Sequence, residues 1–478
     1  MVGLTRETRA TLGDLPLRSA AEAQARARWS GRPILASVTV QLPHRDPLDF
    51  FRRGAALAGD RFFWARPDES FAMAGVGTAW TLALDGADRF EHARAAWRAL
   101  CQEAVIQAGE VPRGTGPVVL GGFSFDPLCP RTPLWDGFPD GLLLLPRYLL
   151  TTTGETSWLT VNTLVAPDAP PNTVSAGWPD EVATLLSDPS SDGAQPAPAR
   201  GMPDLEDALP PEEWKRTVAS VVQEIHAGHV QKVVLARQVY LRRCEPFDPA
   251  HALARLRRRY PGCFVFAVAR GMRCFLGASP ERLIRLERGA VQVTCLAGSI
   301  ARGTTPEEDE RLGTALLASE KDRAEHAFVV QALCDGLTEA GVELEPPGLP
   351  RLLKVHNVQH LFTPLRGRAR ERQSVLDLVA WLHPSPAVGG VPRDVALELI
   401  RERERLDRGW YAGPLGWMDR QGDGEFAVAI RSALLDGAAA TLFAGCGIVA
   451  GSDPEREYAE ASLKLRPMLA ALGEETRD

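Results

Sequence analysis

A chain of 478 residues with 45% hydrophobic side chains can bury a large core, and its length alone would divide it into two or three domains. A formal charge of −7, a pI near 5.8 and interspersed acids and bases argue against nucleic acid or an anionic membrane as partner, so any anionic ligand has to be met by local groups. The eight cysteines are scattered without zinc-type spacing, the N-terminus has no signal-peptide core, and no stretch approaches the ~18 apolar residues of a membrane span, so a soluble cytoplasmic protein with reduced thiols is expected.

Apolar runs broken by turn residues come first. GPVVLGGFSFDP (116–127) and GLLLLPRYLLTTTGETSWLTVNTLV (141–165) predict strands in a largely antiparallel arrangement. The stretch SDPSSDGAQPAPARGMPD (187–204) predicts an exposed loop. It divides a less diagnostic part, 1–204, from a second part, 205–478. There PPEEWKRTVASVVQEIHAG (210–228) spaces Trp214, Val218, Val221, Val222 and Ile225 along a helix that stops at Gly228. The strand QKVVLARQVYL (231–241) follows, with further strands in CFVFAVA, CFLGASP, RLIRLERGAVQVTCLAG and EFAVAIRSALLDGAAATLFAGCGIVAG. Helices are predicted over 315–340, 391–406 and 454–472. Strands interspersed with helices indicate an α+β protein whose sheets are covered by helices.

Four places carry residue types suited to chemistry. Lys232 stands at the mouth of an apolar strand: it either snorkels to water or lies in a pocket, where burial disfavours its charge and leaves an amine able to act as a base. Glu281, after Ser279 and Pro280, is either a carboxylate paired with Arg282 or a buried acid suited to protonating a leaving group. Asp322 and Glu325 share one helical face; Glu457 and Glu460 share another, with Lys464 a turn further on. Each pair alone is a solvated surface, but together they would form an all-oxygen site for Mg2+. The fourth is a set of glycine-rich segments, TCLAGSIARG, HPSPAVGGVPR, YAGPLGWMD and AGCGIVAGSDP, which are either ordinary turns or places where backbone amides approach an anion. None has a nucleotide-binding form.

The blocks QKVVLAR, GASPERL, LAGSIARG, KDRAEH, VQHL, HPSPAVGGVP, YAGPLGW, FAVAIRSA and AGCGIVAGSDPEREYAEASLKL, in that order, resemble the chorismate-utilising enzymes: isochorismate and salicylate synthases and the large components of anthranilate and aminodeoxychorismate synthases. GGFSFDP (121–127) resembles the matching N-terminal segment of isochorismate synthases. The resemblance implies an anthranilate-synthase-component-I-like fold in one structural unit, with two large, mostly antiparallel sheets packed face to face and helices outside.

It also implies roles. Members that add ammonia carry glutamine at position 232 and those that add water carry lysine, so this chain resembles the water-adders. Ala297 stands where aminodeoxychorismate synthases have a nucleophilic lysine, and no LLES-like tryptophan-sensing motif is seen near the N-terminus. Ala387 stands where salicylate synthases have threonine, which implies the isochorismate synthase form; a salicylate synthase or a catalytically silent chorismate-binding relative are the alternatives. In the implied reaction Lys232 is the base for water attacking C2 of chorismate and Glu281 the acid for the C4 hydroxyl. Glu325 and Glu460 hold Mg2+ on the ring carboxylate, with Asp322 and Glu457 reaching it through water. Arg431 and Tyr411 hold the enolpyruvyl carboxylate, with amides around Gly445 and Gly447 as further donors. Lys464 orders the groups near the metal, and His360, with the Gly298/Ser299 turn, lines the ring pocket and donates to a substrate oxygen. A monomer without a glutaminase subunit, serving menaquinone or siderophore synthesis, completes the expectation.

Overall fold

The computed structural model describes residues 6–57, 59–109, 112–169, 178–187, 204–355 and 358–473. The loop expected at 187–204 lies outside the described residues except at its two ends.

Two wings of sheet make the body. One runs from Lys232–Arg242 through Ala439–Ile448, Ser432–Asp436, Arg273–Ser279, Phe264–Arg270 and Arg61–Arg66 to Phe71–Leu84. The other runs from Val358–Arg368 through Ala290–Ala301, Arg282–Glu287, Gly424–Val428, Pro414–Asp419 and Val118–Phe123 to Gly141–Thr153. Their last strands pair with each other, Phe71 opposite Thr153 and Leu84 opposite Gly141, with a register shift between Thr78 and Trp80. Hydrogen bonding is therefore continuous through a 21-stranded ribbon. Among the described residues every strand pair is antiparallel except Ile34–Pro43 with Val105–Gln107.

Phe264–Arg270 shows how the layers stack. Its side chains alternate. Phe264, Phe266 and Val268 pack in one core with Leu120, Phe123 and Phe426 of the other wing. Val265, Ala267 and Ala269 pack in a second core with Leu253 and Leu256 of helix Pro249–Arg259 and Leu465, Met468 and Leu472 of helix Pro454–Leu472. Burial on both faces is why CFVFAVA carries no polar alternation. The expected α+β architecture, with facing layers and outer helices, is borne out.

Trp135 plugs the core between the layers. Its ring stacks on Phe443 at 5.6 Å and meets Phe275 edge-on at 5.2 Å, while Nε1 donates to the Asp407 carbonyl at 3.0 Å. Gly409, at φ +48°, lies under the ring, and a Cβ there would stand 2.2 Å from it. Glycine is required on both counts.

Three helices differ from expectation. The one expected over 315–340 is two, Pro306–Ala318 and Glu320–Glu339, because Ser319 is extended (φ −65°, ψ 113°) and its hydroxyl caps the second by accepting from the Asp322 amide. The one expected over 391–406 is Arg393–Arg403: Val391 is spent pairing with Lys232, and Arg405 turns the chain at φ +56°. The opening segment, read for its lack of a signal core, is a helix, Arg6–Ser30, whose Ala20, Ala23 and Ala27 pack on Ile34 and Val165. No helix among the described residues is long and apolar enough to cross a membrane.

Trp135→Ala should lower the unfolding free energy by about 3–5 kcal/mol in equilibrium denaturation. A loss under about 1 kcal/mol would contradict the plug assigned to it.

Candidate active site

The helix Pro211–His226 buries Trp214, Val218, Val221 and Ile225, turns at Gly228 (φ +78°) and delivers the chain into the strand that begins at Lys232. Both neighbours of that strand's first turn are close. Ile448, Gly447 and Cys446 pair with Val233, Val234 and Leu235 on one side. On the other, Gln231 donates to the Val391 carbonyl at 2.7 Å and Val234 to that of Gly389 at 2.8 Å. Lys232 is 6% exposed, so it lies in a pocket and not at the water's edge. A Cβ at Gly447 would stand 2.7 Å from its Cε; the glycine leaves room for the lysine stem. Nζ lies 2.8 Å from Glu325 Oε1.

Glu281 stands where the chain crosses from one wing, at Ser279, to the other, at Arg282. Its amide donates to Ser279 Oγ at 3.2 Å and its carbonyl accepts from the Val428 amide at 3.1 Å. The side chain is thus fixed between the layers. Burial pushes its carboxyl up to about 8, with Lys232 opposing, so at neutral pH it is a protonated acid.

Across the cleft a bulge interrupts the pairing of Ala290–Ala301 with Val358–Arg368 between Leu296 and Ser299. It displaces Ala297 and Gly298, the latter at φ +81°, and brings Ser299 opposite His360. Ser299 Oγ and His360 Nδ1 are 2.7 Å apart, while His360 Nε2 is buried without a partner among the described residues. Burial, with Arg431 and Lys464 nearby, depresses the imidazole to about 3, so it is neutral. Arg431 is 8% exposed and held at φ +53°, a conformation that side-chain-bearing residues adopt only where the surroundings impose it. Tyr411 stacks on Phe443 at 5.1 Å, and burial pushes its phenol up. A Cβ on Gly445 would lie 3.1 Å from the Tyr411 hydroxyl, and the Gly445 carbonyl accepts from Lys464 Nζ at 2.9 Å.

The four carboxylates come from the break at Ser319, which puts Asp322 and Glu325 in the first turns of one helix, and from the start of Pro454–Leu472, which carries Glu457 and Glu460. Lys464 lies 2.7 Å from Glu460 and holds that carboxyl below its usual range, whereas burial raises Glu457. All four face one cleft, but among the described residues no three His, Cys, Asp or Glu groups converge closely enough to hold an ion. Of the four, Glu325 and Glu460 are each salt-bridged to a lysine, Lys232 and Lys464.

Every residue singled out by sequence lines this one cleft: Lys232, Glu281, His360, Gly298 and Ser299, with Ala387, Tyr411, Arg431, Gly445, Gly447 and Lys464, and the four carboxylates. Lys321 also lines it and was passed over, although SEKDRAEH sets it beside Asp322 in the same helical turn. Four cations, Lys232, Lys321, Arg431 and Lys464, thus meet in a net-acidic protein. Such a cleft suits a ligand carrying carboxylates.

Residues 20–473 match the family model described as chorismate binding enzyme. The chain belongs to the chorismate-binding enzyme family. It is 38% identical over 462 residues to isochorismate synthase MenF of Bacillus subtilis, covering 95% of this chain and 96% of that one. It is 39% identical over 446 residues to the salicylate biosynthesis isochorismate synthase of Pseudomonas aeruginosa, covering 92% and 90%. The solved structure of MenF, the menaquinone-specific isochorismate synthase of Escherichia coli, superposes with a TM-score of 0.76 at 26% identity, covering 96% of this chain and all of that one.

The buried acid has a thermodynamic signature. Glu281 binds its proton up to about pH 8 when folded but only to about 4.5 when unfolded. The folded state therefore holds the extra proton between those values, and stability falls as pH rises through them. Glu281→Gln should escape this loss, so its melting temperature should gain on the parent's between pH 5 and 8. A difference that does not change with pH would refute the buried acid.

Proposed function

We propose that the chain is an isochorismate synthase: it adds water at C2 of chorismate and expels the C4 hydroxyl, with the ring double bonds shifting between. The observation that carries this reading is the presence, in one cleft of the chorismate-binding fold, of a buried lysine and a carboxyl that is protonated at neutral pH. Water needs a base to become a nucleophile, and hydroxide needs a proton to leave. Lys232 takes the proton from water and Glu281 gives one to the C4 oxygen. The roles exchange in reverse, so chorismate and isochorismate interconvert. To serve as the base, Lys232 has to exchange its 2.8 Å contact with Glu325 for the attacking water.

Arg431 and Tyr411 are assigned to the enolpyruvyl carboxylate. The fixed guanidinium plane supplies paired donors, and the phenol, its proton held by burial, supplies another. The unpartnered Nε2 of His360 is assigned to a ring oxygen, as donor in the tautomer in which Nδ1 accepts from the Ser299 hydroxyl. Ala387 gives the ring a small, apolar wall.

The carboxylates fit Mg2+ by chemistry: Glu325 and Glu460, with Asp322 and Glu457 behind them, offer only hard oxygen donors. Among the described residues no three converge, so an ion there would need water and the substrate to complete its shell. When bound, Mg2+ neutralises the ring carboxylate and stabilises electron density pushed toward it. Glu325 and Glu460, the two carboxylates that would hold the ion, are paired with Lys232 and Lys464 here and would have to give up those lysines to do so. Full-length likeness to two proteins named MenF favours menaquinone supply over siderophore supply as the destination of the product.

The test is to incubate the protein with chorismate and Mg2+, without ammonia, and separate the products by chromatography. Isochorismate should rise to a plateau reached from either side and vanish with EDTA. Lys232→Gln and Glu281→Gln should each lower kcat by about 10²–10⁴-fold with folding intact. Salicylate and pyruvate as main products would make the chain a salicylate synthase, and turnover only with ammonia would refute the water-adding reading. Restored growth of a menaquinone auxotroph would support the pathway.

A further inference from the structure

Behind the cleft lies an ion pair with no chemistry assigned to it. Glu404 and Arg408 are each 3% exposed. Arg408 Nε and Nη2 donate to the two Glu404 oxygens at 2.6 and 2.5 Å, and its guanidinium lies 4.1 Å over the Phe125 ring. The remaining bonds go to only two stretches of backbone. Nη1 donates to the Val388 carbonyl at 2.9 Å, Nη2 to the Val234 carbonyl at 2.7 Å, and Glu404 Oε2 accepts from the Ala236 amide at 2.7 Å.

Those stretches are two walls of the cleft. Val234 is two residues beyond Lys232 on its strand; Val388 follows Ala387 in HPSPAVGG; all line the cavity. A buried pair of this kind is a poor source of stability, because an apolar pair of the same volume is often as stable or more so. What an apolar pair cannot do is bridge two carbonyls on separate segments. Nor can lysine, whose single ammonium lacks the planar fork that spans Val388 and Val234 while gripping Glu404.

We propose that Arg408, held by Glu404, is a positioning residue that sets the spacing between the Ala387–Val388 wall and Lys232, and so keeps water addition ahead of pyruvate loss. The proposal rests on the isochorismate synthase reading. Isochorismate can lose pyruvate when its C2 hydrogen passes to the methylene carbon of the enolpyruvyl group as the C3–O bond breaks, leaving salicylate. That transfer needs the side chain folded over the ring. A wall held fast against the strand of Lys232 denies it the space, and a wall set loose allows it while misaligning the base.

Two variants test this beside the parent protein, with Mg2+ and chorismate: Arg408→Lys, and the double change Glu404→Leu with Arg408→Met, which leaves no charge unpaired. Melting temperature, kcat, KM and the ratio of pyruvate to isochorismate are measured. In folded variants kcat should fall at least about tenfold with KM within about threefold, and the pyruvate ratio should rise at least about fivefold, as expected when reacting groups are held about an ångström out of place. Activity that falls only with the folded fraction, with KM and product ratio unchanged, overturns the proposal. Failure of both variants to fold also overturns it, since the pair would then serve folding. If the parent makes no isochorismate, the functional reading fails instead.

Discussion

A charge taken out of water must bring its partner with it, and at Lys232 that rule shapes much of the molecule. The ammonium is buried in the floor of the cleft and finds Glu325 at 2.8 Å. For Glu325 to be there, helix Glu320–Glu339 has to start at that height above the sheet, which needs the chain to break at Ser319. For the lysine stem to fit, the strand beside it has to carry glycine at 447. For the walls to close, HPSPAVGG has to run as an added edge on the same strand, tied at Gln231 and Val234. A cap, a glycine and an edge strand, far apart in the chain, answer to one buried amine.

The same cleft holds carboxyls driven in opposite directions. Glu281, enclosed between the wings with Lys232 opposing, is pushed up to about 8 by burial, while Glu460, beside Lys464, is held below the usual range. Environment thus divides one functional group, within one cleft, into a protonated acid and an anion. His360 is kept out of this division: it is neutral, pinned at Nδ1 by Ser299, and left with one free ring nitrogen.

What could be read from the residues follows the range of the forces involved. Doubly buried strands such as CFVFAVA and the helix ending at Gly228 are set by local pattern, and the structure has them where that pattern puts them. The cleft's membership was legible through the ordered blocks of the family resemblance, because each block sits at a strand end, bulge or helix start that the fold delivers to one place. The break at Ser319 was not, since serine is tolerated within a helix and only the hydroxyl's capping bond to the Asp322 amide shows the choice made. Nor was the joining of two sheets into one ribbon, which depends on Phe71–Leu84 and Gly141–Thr153 continuing past a register shift. Lys321 and Arg408 escaped for a similar reason. Each has an ordinary sequence neighbourhood and a meaning fixed only by what lies across from it.

Net charge tells least of all. The chain carries −7 overall, yet its cleft gathers four cations, two of them already salt-bridged to carboxylates within it. Those pairs leave the cleft largely self-neutralised. Lys232 and Lys464 each already have a carboxylate partner within the cleft, so their charge is balanced over a few ångströms, and the sum over the whole chain says nothing of what the cleft can hold.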